Sequence, residues 1–135
     1  MSTPDMLRPF VYEVRVVGAD TPISLECTAP PELFSLQSPP REAATPFLDK
    51  LVREHDKFIM KFKPGGWRCW NCSKRATSLT HTPTMYLHLS LEKGGPKIID
   101  FVQPVCKNLS PCDLEARQLM HEELTAASQM SKMVR

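Results

Sequence analysis

The stretch Cys69-Trp70-Asn71-Cys72 decides the fold expected for this chain, because a C-x2-C turn can bring two thiolates onto one metal ion. A second pair, Cys106 and Cys112, follows where the chain is predicted to enter a helix. Four thiolates delivered by a turn and by a helix start match the closed, tetrahedral coordination of structural zinc. We therefore predict one structural Zn²⁺, with Cys69, Cys72, Cys106 and Cys112 as its ligands.

Length and cysteine content agree with a small reduced domain. The chain has 135 residues, of which 41% are hydrophobic, enough for one modest core that a metal would help to stabilise. Five cysteines, an odd number, fit poorly with a secreted disulfide framework, and Cys27 is predicted to be a spare thiol. Residues 1–30 show no signal-peptide pattern and no window is apolar enough for a membrane span. We expect an intracellular protein, cytoplasmic or nuclear, that does not bind membranes.

The N-terminal half is predicted to form a strand, a proline-rich loop and a helix. Residues 10–17 are β-branched and aromatic, and residues 23–27 can return beside them as a hairpin. Prolines interrupt residues 29–40, since proline disfavours regular helix. Thr45-Pro46 is typical of a helix start, and apolar residues at three- and four-residue spacing predict a helix over 46–62. Its buried stripe is predicted to contain Phe47, Leu51, Ile59 and Phe62.

The C-terminal half is predicted to contain a hairpin and a second helix. Residues 84–91 alternate between apolar and polar, residues 92–95 form a turn, and residues 97–103 form the return strand. Ser110-Pro111 resembles a second capped helix start, with the helix running to about residue 128.

The order of knuckle (residues 67–72), hairpin and cysteine-bearing helix resembles the treble-clef zinc finger. That resemblance implies the same four cysteine ligands, although five residues separate Cys106 from Cys112 where the family usually has two. The longer spacing leaves His81 or His88 as an alternative fourth ligand. The run from Cys69 to Ala76 also resembles the start of MYND-type fingers, protein-interaction modules found in small fungal proteins. The chain lacks that family's further cysteine pairs, so one zinc ion is implied.

These predictions combine into an α+β fold with a small, zinc-stabilised, treble-clef-like core. The core, residues 64–135, would consist of the knuckle, the hairpin and the C-terminal helix. Residues 1–63 would add the strand, the proline-rich loop and the amphipathic helix, packed on the core to give one compact domain.

The leading functional hypothesis is a protein-interaction module that uses the knuckle surface. Its partner-binding residues would be Trp67, Arg68, Trp70, Lys74 and Arg75. Nucleic-acid binding by the same residues is the first alternative, because basic side chains next to tryptophan suit phosphates and bases. The net charge of +2 lacks the basic excess that duplex-binding domains usually have.

A small zinc-supported enzyme is the second alternative. It would use His81, His88 or Asp100 beside the hairpin, where a polar cluster of His88, Tyr86 and Asp100 is conceivable. The simpler interpretation makes His81 a solvent-exposed loop residue. No nucleophile and base stand in a recognised motif, so we assign no catalytic residue and do not predict an enzyme.

Overall fold

A computed structural model describes residues 7–34 and 41–119. Within these ranges the chain forms four strands and two helices, in agreement with the predicted α+β class. In chain order they are β1 (Arg8–Val16), β2 (Ile23–Ala29), α1 (Arg41–Phe62), β3 (Ser78–Tyr86), β4 (Lys97–Val105) and α2, a helix over 111–119.

The four strands form one sheet in the order β2-β1-β4-β3. β1 pairs antiparallel with β2, and β3 pairs antiparallel with β4, so both predicted hairpins are confirmed. The two hairpins are joined by a parallel pairing of β1 with β4, in which Tyr12 lies opposite Ile98 and Val14 opposite Asp100. No local pattern in the sequence predicts this parallel pairing, which makes the N-terminal strand a central strand of the sheet.

Alternation along β1 and β4 gives the sheet an inner face that is buried. Tyr12, Val14, Ile98 and Val102 all lie on this face and have no solvent exposure. In an extended strand, successive side chains point to opposite faces, so Val11 and Phe101 lie on the outer face and are only partly covered. The inner face is the site of the main apolar core.

Helix α1 covers the inner face, but it begins earlier than predicted. Residues 41–62 are helical, and Pro46 lies inside the helix, so the predicted Thr45-Pro46 start is wrong. A proline inside a helix lacks an N–H and crowds the carbonyl four residues before it, here that of Glu42. Both Glu42 and Pro46 are exposed, so water can hydrate the freed carbonyl.

The buried side of α1 is narrower than the predicted stripe. Leu51 and Ile59 are buried, and Phe47 packs against Phe10 with their ring centroids 6.0 Å apart. Phe62 is 51% exposed and pairs with the exposed ring of Phe58, so its predicted burial is wrong. It lies in the last turn of α1, beyond the contact with the sheet.

Strand β3 lies earlier in the chain than the alternation at 84–91 predicted. It spans Ser78–Tyr86, and residues 87–90 already belong to the connection to β4, followed by a 3-10 turn over Leu91–Lys93. The strand is set by its pairing with β4, in which His81 lies opposite Val102. This shift moves His81 from the predicted loop into the sheet.

Helix α2 begins where it was predicted, after Ser110, and is described to residue 119. Its predicted end near residue 128 lies outside the described residues. The hairpin β3–β4 belongs to a four-stranded sheet rather than to a small separate finger, and the treble-clef assignment stays a prediction. In the described parts of the chain, no helix combines the length and the apolar character needed to cross a lipid bilayer.

Candidate metal centre

The knuckle is a tight turn held by its own backbone. Ser73 N donates to Cys69 O (3.1 Å) and Cys69 N donates to Lys74 O (2.7 Å), while Ala76 N donates to Trp67 O (2.9 Å). Ser73 has φ 63°, a left-handed conformation that lets the chain reverse after Cys72. The turn therefore places Cys69 and Cys72 close together.

Three hydrogen bonds join the end of β4 to the knuckle and to Thr77, and one of them runs from Thr77 N to Val105 O (3.0 Å). Trp70 N donates to Pro104 O (2.9 Å), and Thr77 Oγ1 donates to Cys106 O (2.8 Å). Cys106 follows directly on Val105, the last residue of β4, which runs two residues beyond the predicted return strand. The third cysteine is thus delivered by the sheet.

Cys112 lies in the first turn of α2, as predicted. Ser110 caps this helix, since its Oγ accepts a hydrogen bond from Asp113 N (3.3 Å). Cys112 is 8% exposed. The hydrogen bond from Asn71 lowers the pKa of Cys112, but burial and the neighbouring thiols of Cys69, Cys106 and Cys72 outweigh it and raise that pKa to about 12.

The structure brings all four predicted cysteines together. The sulfur atoms of Cys69, Cys72, Cys106 and Cys112 lie within 4.8 Å of one another. Tetrahedral zinc with Zn–S bonds of about 2.3 Å would place its sulfurs about 3.8 Å apart, so a small inward movement would complete the site. The donor set fits one metal ion of the zinc type, because it consists of four soft ligands and leaves no fifth position.

The local environment prepares one cysteine for ionisation. Burial opposes ionisation of Cys69, but backbone N–H groups of Cys72, Asn71 and Cys106 point at its sulfur and lower its pKa to about 6. Metal coordination requires the thiolate form. Cys69 thus presents the form that a metal binds.

A shell of hydrogen bonds holds the knuckle against α2. Asn71 Nδ2 donates to Cys112 Sγ (3.6 Å) and to Glu115 Oε2 (3.3 Å), and Trp70 Nε1 donates to Cys112 O (3.1 Å). Such outer contacts orient ligands and tune a metal site.

Asp113 fixes α2 to the sheet one residue beyond Cys112. Its carboxylate is buried and accepts hydrogen bonds from Thr80 Oγ1 on β3, from Leu109 N (2.7 Å) and from the guanidinium of Arg117. Burial alone would raise the pKa of Asp113, but the bonds from Arg117, Thr80 and Leu109 outweigh it and lower that pKa. The helix start is therefore tied to the outer face of β3.

His81 belongs to a buried polar network instead of the metal cluster. Its Nδ1 lies 2.7 Å from Asp100 Oδ2 and its Nε2 lies 2.7 Å from Asp56 Oδ1. The side chain of His81 is only 7% exposed, so the expectation of a solvent-exposed loop histidine is wrong. Its alternative role as a zinc ligand is not supported, since the group of metal-ligating atoms found among the described residues consists of cysteines.

His88 lies in the turn after β3 and is exposed, so it takes no part in a cluster with Asp100. Asp100 is fully buried and accepts instead from Tyr12 OH (2.6 Å), Thr82 N (2.9 Å) and His81. The suggested His88–Tyr86–Asp100 cluster is therefore corrected to a network of Tyr12, Asp100, His81 and Asp56.

Trp67 was expected on the partner-binding surface, but it is 3% exposed. Its Nε1 donates to Ile59 O (2.8 Å), one of the last carbonyls of α1, which otherwise lack an intrahelical partner. Trp70 is half-buried beside the metal centre. Of the proposed set, Arg68, Lys74 and Arg75 are exposed.

Two contacts were not found from the sequence, one at the metal centre and one away from it. The pattern Ser110-x-x-Asp113 is a capping signal that indicated the start of α2. The hydrogen bond from Thr80 to Asp113 could not be predicted, because it forms only when β3 and α2 meet in the folded chain. The contact between Cys27 and His55 had no local signal, because 28 positions separate the two residues.

Comparison with protein-family models, with curated proteins and with solved structures returned no match to this chain.

Proposed function

We propose that this chain is a zinc-binding interaction module, in which one structural Zn²⁺ fixes a cationic knuckle at one end of the sheet. The observation that carries the proposal is the convergence of four thiols, from the knuckle, the end of β4 and the start of α2, within 4.8 Å. Four thiolates close the coordination shell of zinc, which favours a structural role over metal-centred catalysis.

The segment that contains the knuckle is rich in basic residues and lacks acidic ones. Between Lys57 and Leu91 the sequence contains no Asp or Glu, and it carries six basic residues. They are Lys57, Lys61, Lys63, Arg68, Lys74 and Arg75. Among the residues that the structure describes, none of these six forms an ion pair with a carboxylate. Three of them, Arg68, Lys74 and Arg75, are exposed in the knuckle or just after it. Their charge exceeds the net −2 that zinc with four thiolates would carry (+2 and −4), so this surface attracts an anionic partner.

Two of these cations are held side by side by the knuckle. Arg68 and Arg75 form an antiparallel bridge, which places their side chains as cross-strand neighbours. Like charges in this position are unfavourable in the free protein, and an acidic ligand would relieve the repulsion. An acidic segment of a partner protein is therefore the preferred ligand, because two guanidinium groups can each bind a carboxylate through two hydrogen bonds.

Metal analysis tests the metal part of the proposal. We expect one zinc per purified chain in the wild type and a loss of most of it in Cys72→Ser and Cys112→Ser. Cys27→Ser is the matched control, because Cys27 lies outside the cluster, and it should keep its zinc. Full zinc retention in both ligand variants would refute the assignment.

Binding to a fluorescent polyglutamate peptide tests the interaction part. The double variant Arg68→Ala, Arg75→Ala should bind at least about tenfold more weakly, since hydrogen-bonded charge pairs contribute roughly 1.5–3 kcal/mol. The control variant Arg53→Ala, Lys93→Ala removes two exposed cations elsewhere. Equal losses in the two variants would mean that total charge, and not this surface, governs binding.

Nucleic acid is the second candidate, and the same uncompensated cations favour it. A single-stranded RNA of about 20 nucleotides should then bind with an affinity that falls steeply with salt. RNA binding that exceeds peptide binding at 150 mM salt would replace the protein partner with RNA.

A further inference from the structure

A second site lies away from the metal centre, in a cleft between β2 and α1. Its volume is about 500 Å³, within the range of small-molecule sites. Cys27 and His55 both line it. Among the other lining residues, Phe47 and Leu51 are apolar and largely covered, whereas Lys50 and Glu54 are charged and exposed.

The side chains of Cys27 and His55 are in contact inside this cleft. His55 Nε2 lies 3.9 Å from Cys27 Sγ, and His55 Nδ1 lies 2.8 Å from Leu51 O. A backbone carbonyl only accepts hydrogen bonds, so Nδ1 carries the proton and donates to Leu51 O. The lone pair on Nε2 is then free to accept the proton of the Cys27 thiol.

This arrangement has the three parts of an activated nucleophile: a thiol, a base within reach, and a group that orients the base. The Leu51 carbonyl fixes the tautomer of His55, and the edge of the Tyr12 ring packs against the imidazole with centroids 5.2 Å apart. Burial, with a smaller contribution from Glu54, raises the pKa of Cys27. The thiol is therefore protonated at neutral pH and depends on a base to react.

We propose that Cys27 and His55 form a covalent binding site for small α,β-unsaturated carbonyl compounds. In this reaction His55 Nε2 takes the thiol proton while the sulfur forms a bond to the β carbon of the alkene. The π electrons of the alkene move toward the α carbon, which then takes the proton back from His55. The product is the thioether adduct, and neither a leaving group nor an oxidant is needed.

The composition of the site favours this class of ligand. Addition across an alkene needs one group that both takes and returns a proton, and His55 is such a group. The side chains of Leu7, Phe47 and Leu51 suit an apolar body, whereas the exposed Lys50, whose Nζ is 3.8 Å from Glu54 Oε1, can donate a hydrogen bond to the carbonyl. The site does not depend on the metal or on the partner proposed above.

The test is the rate of adduct formation at Cys27 in the zinc-loaded full chain. N-ethylmaleimide and the aryl enone benzylideneacetone serve as probes, and peptide mass spectrometry separates Cys27 from the four metal-site cysteines. The rate with the enone should saturate as its concentration rises, because the compound first binds in the cleft. A rate that stays linear in concentration, or an unreactive Cys27, would overturn the proposal.

The variant His55→Asn isolates the base, because its amide can still donate to Leu51 O but cannot accept the thiol proton. General-base catalysis predicts a rate at least about tenfold lower in this variant. His88→Asn removes an exposed histidine away from the cleft and should leave the rate unchanged. If His55→Asn reacts within twofold of the wild type, His55 is not the base and the assignment fails.

Discussion

His81 Nδ1 lies 2.7 Å from Asp100 Oδ2, so β3 and β4 are joined by an ion pair on the inner face of the sheet as well as by their backbones. The second nitrogen of His81 lies 2.7 Å from Asp56 Oδ1, which extends the link to α1. Carboxylates only accept hydrogen bonds when ionised, so both nitrogens donate and the imidazole carries a positive charge. One charged histidine thus connects two strands with the helix that covers them.

Removal of Asp100 should destabilise the fold strongly. Its carboxylate is fully buried and accepts three hydrogen bonds, from Tyr12, His81 and Thr82. Asp100→Ala leaves these donors without their partner, and loss of one member of a buried pair costs about 3–5 kcal/mol. Urea unfolding measures this loss, with the exposed Asp49→Ala as control. A cost below about 1 kcal/mol, the typical value for an exposed pair, would show that the network is solvated.

The same network should make stability depend on pH. Burial opposes protonation of His81, but hydrogen bonds and charge from Asp100 and then Asp56 outweigh it and raise the pKa of His81. A group whose pKa is raised by folding stabilises the fold fully below its unfolded pKa, about 6.5 for histidine. This contribution is lost as the pH rises through the folded-state pKa.

The difference in unfolding free energy between the wild type and His81→Gln should therefore shrink between pH 6 and pH 9. The comparison with the variant removes effects that both proteins share, including proton release at the metal site. A difference that is constant or grows with pH would contradict a charged His81.

The sequence predicted the type and order of the elements, and the two cysteine pairs that converge, because these features rest largely on local patterns. The alternation in β1 and the pair Cys69-x2-Cys72 each lie within a few residues, and local geometry decides them. Cys112 was likewise predicted at the start of α2, because the capping residue Ser110 lies two residues before it. Cys106 directly follows the end of β4.

Local patterns of this kind do not predict which distant strands pair. The parallel contact of β1 with β4 joins residues more than eighty positions apart, and nothing in either strand specifies its neighbour. The burial of His81 follows from this sheet, because Asp100 on β4 and Asp56 on α1 meet it only after folding. The alternation of apolar and polar residues at 84–91 also led to a wrong strand prediction, because residues 87–91 lie in the connection after Tyr86 and not in β3.

Metal removal should loosen one end of the molecule and spare the sheet. The knuckle and α2 converge on the cysteine cluster, whereas Tyr12, Val14 and Ile98 lie in a separate apolar core with no solvent exposure. After chelation, amide exchange in α2 should accelerate by at least about a hundredfold, because metal affinity contributes directly to local folding. Exchange in β1 should change little. Hydrogen exchange followed by mass spectrometry would measure both, and equal acceleration in β1 and α2 would contradict a local role for the metal.

The contact between Thr80 and Asp113 should control metal affinity without supplying a ligand. Asp113 follows Cys112 directly, and its carboxylate accepts a hydrogen bond from Thr80 on β3, so this bond helps to set the position of α2 against the sheet. Thr80→Val removes the hydroxyl but keeps the shape, and it should weaken zinc binding by about 10–100-fold, as measured by competition with a chromogenic chelator.

Thr84→Val is the matched control, because Thr84 lies on the same face of β3, two residues from its end. If both variants bind zinc as the wild type does, the cysteines are held by the knuckle and the metal alone. A selective loss in Thr80→Val would instead mean that the outer face of the sheet positions the helix, and through it the last ligand.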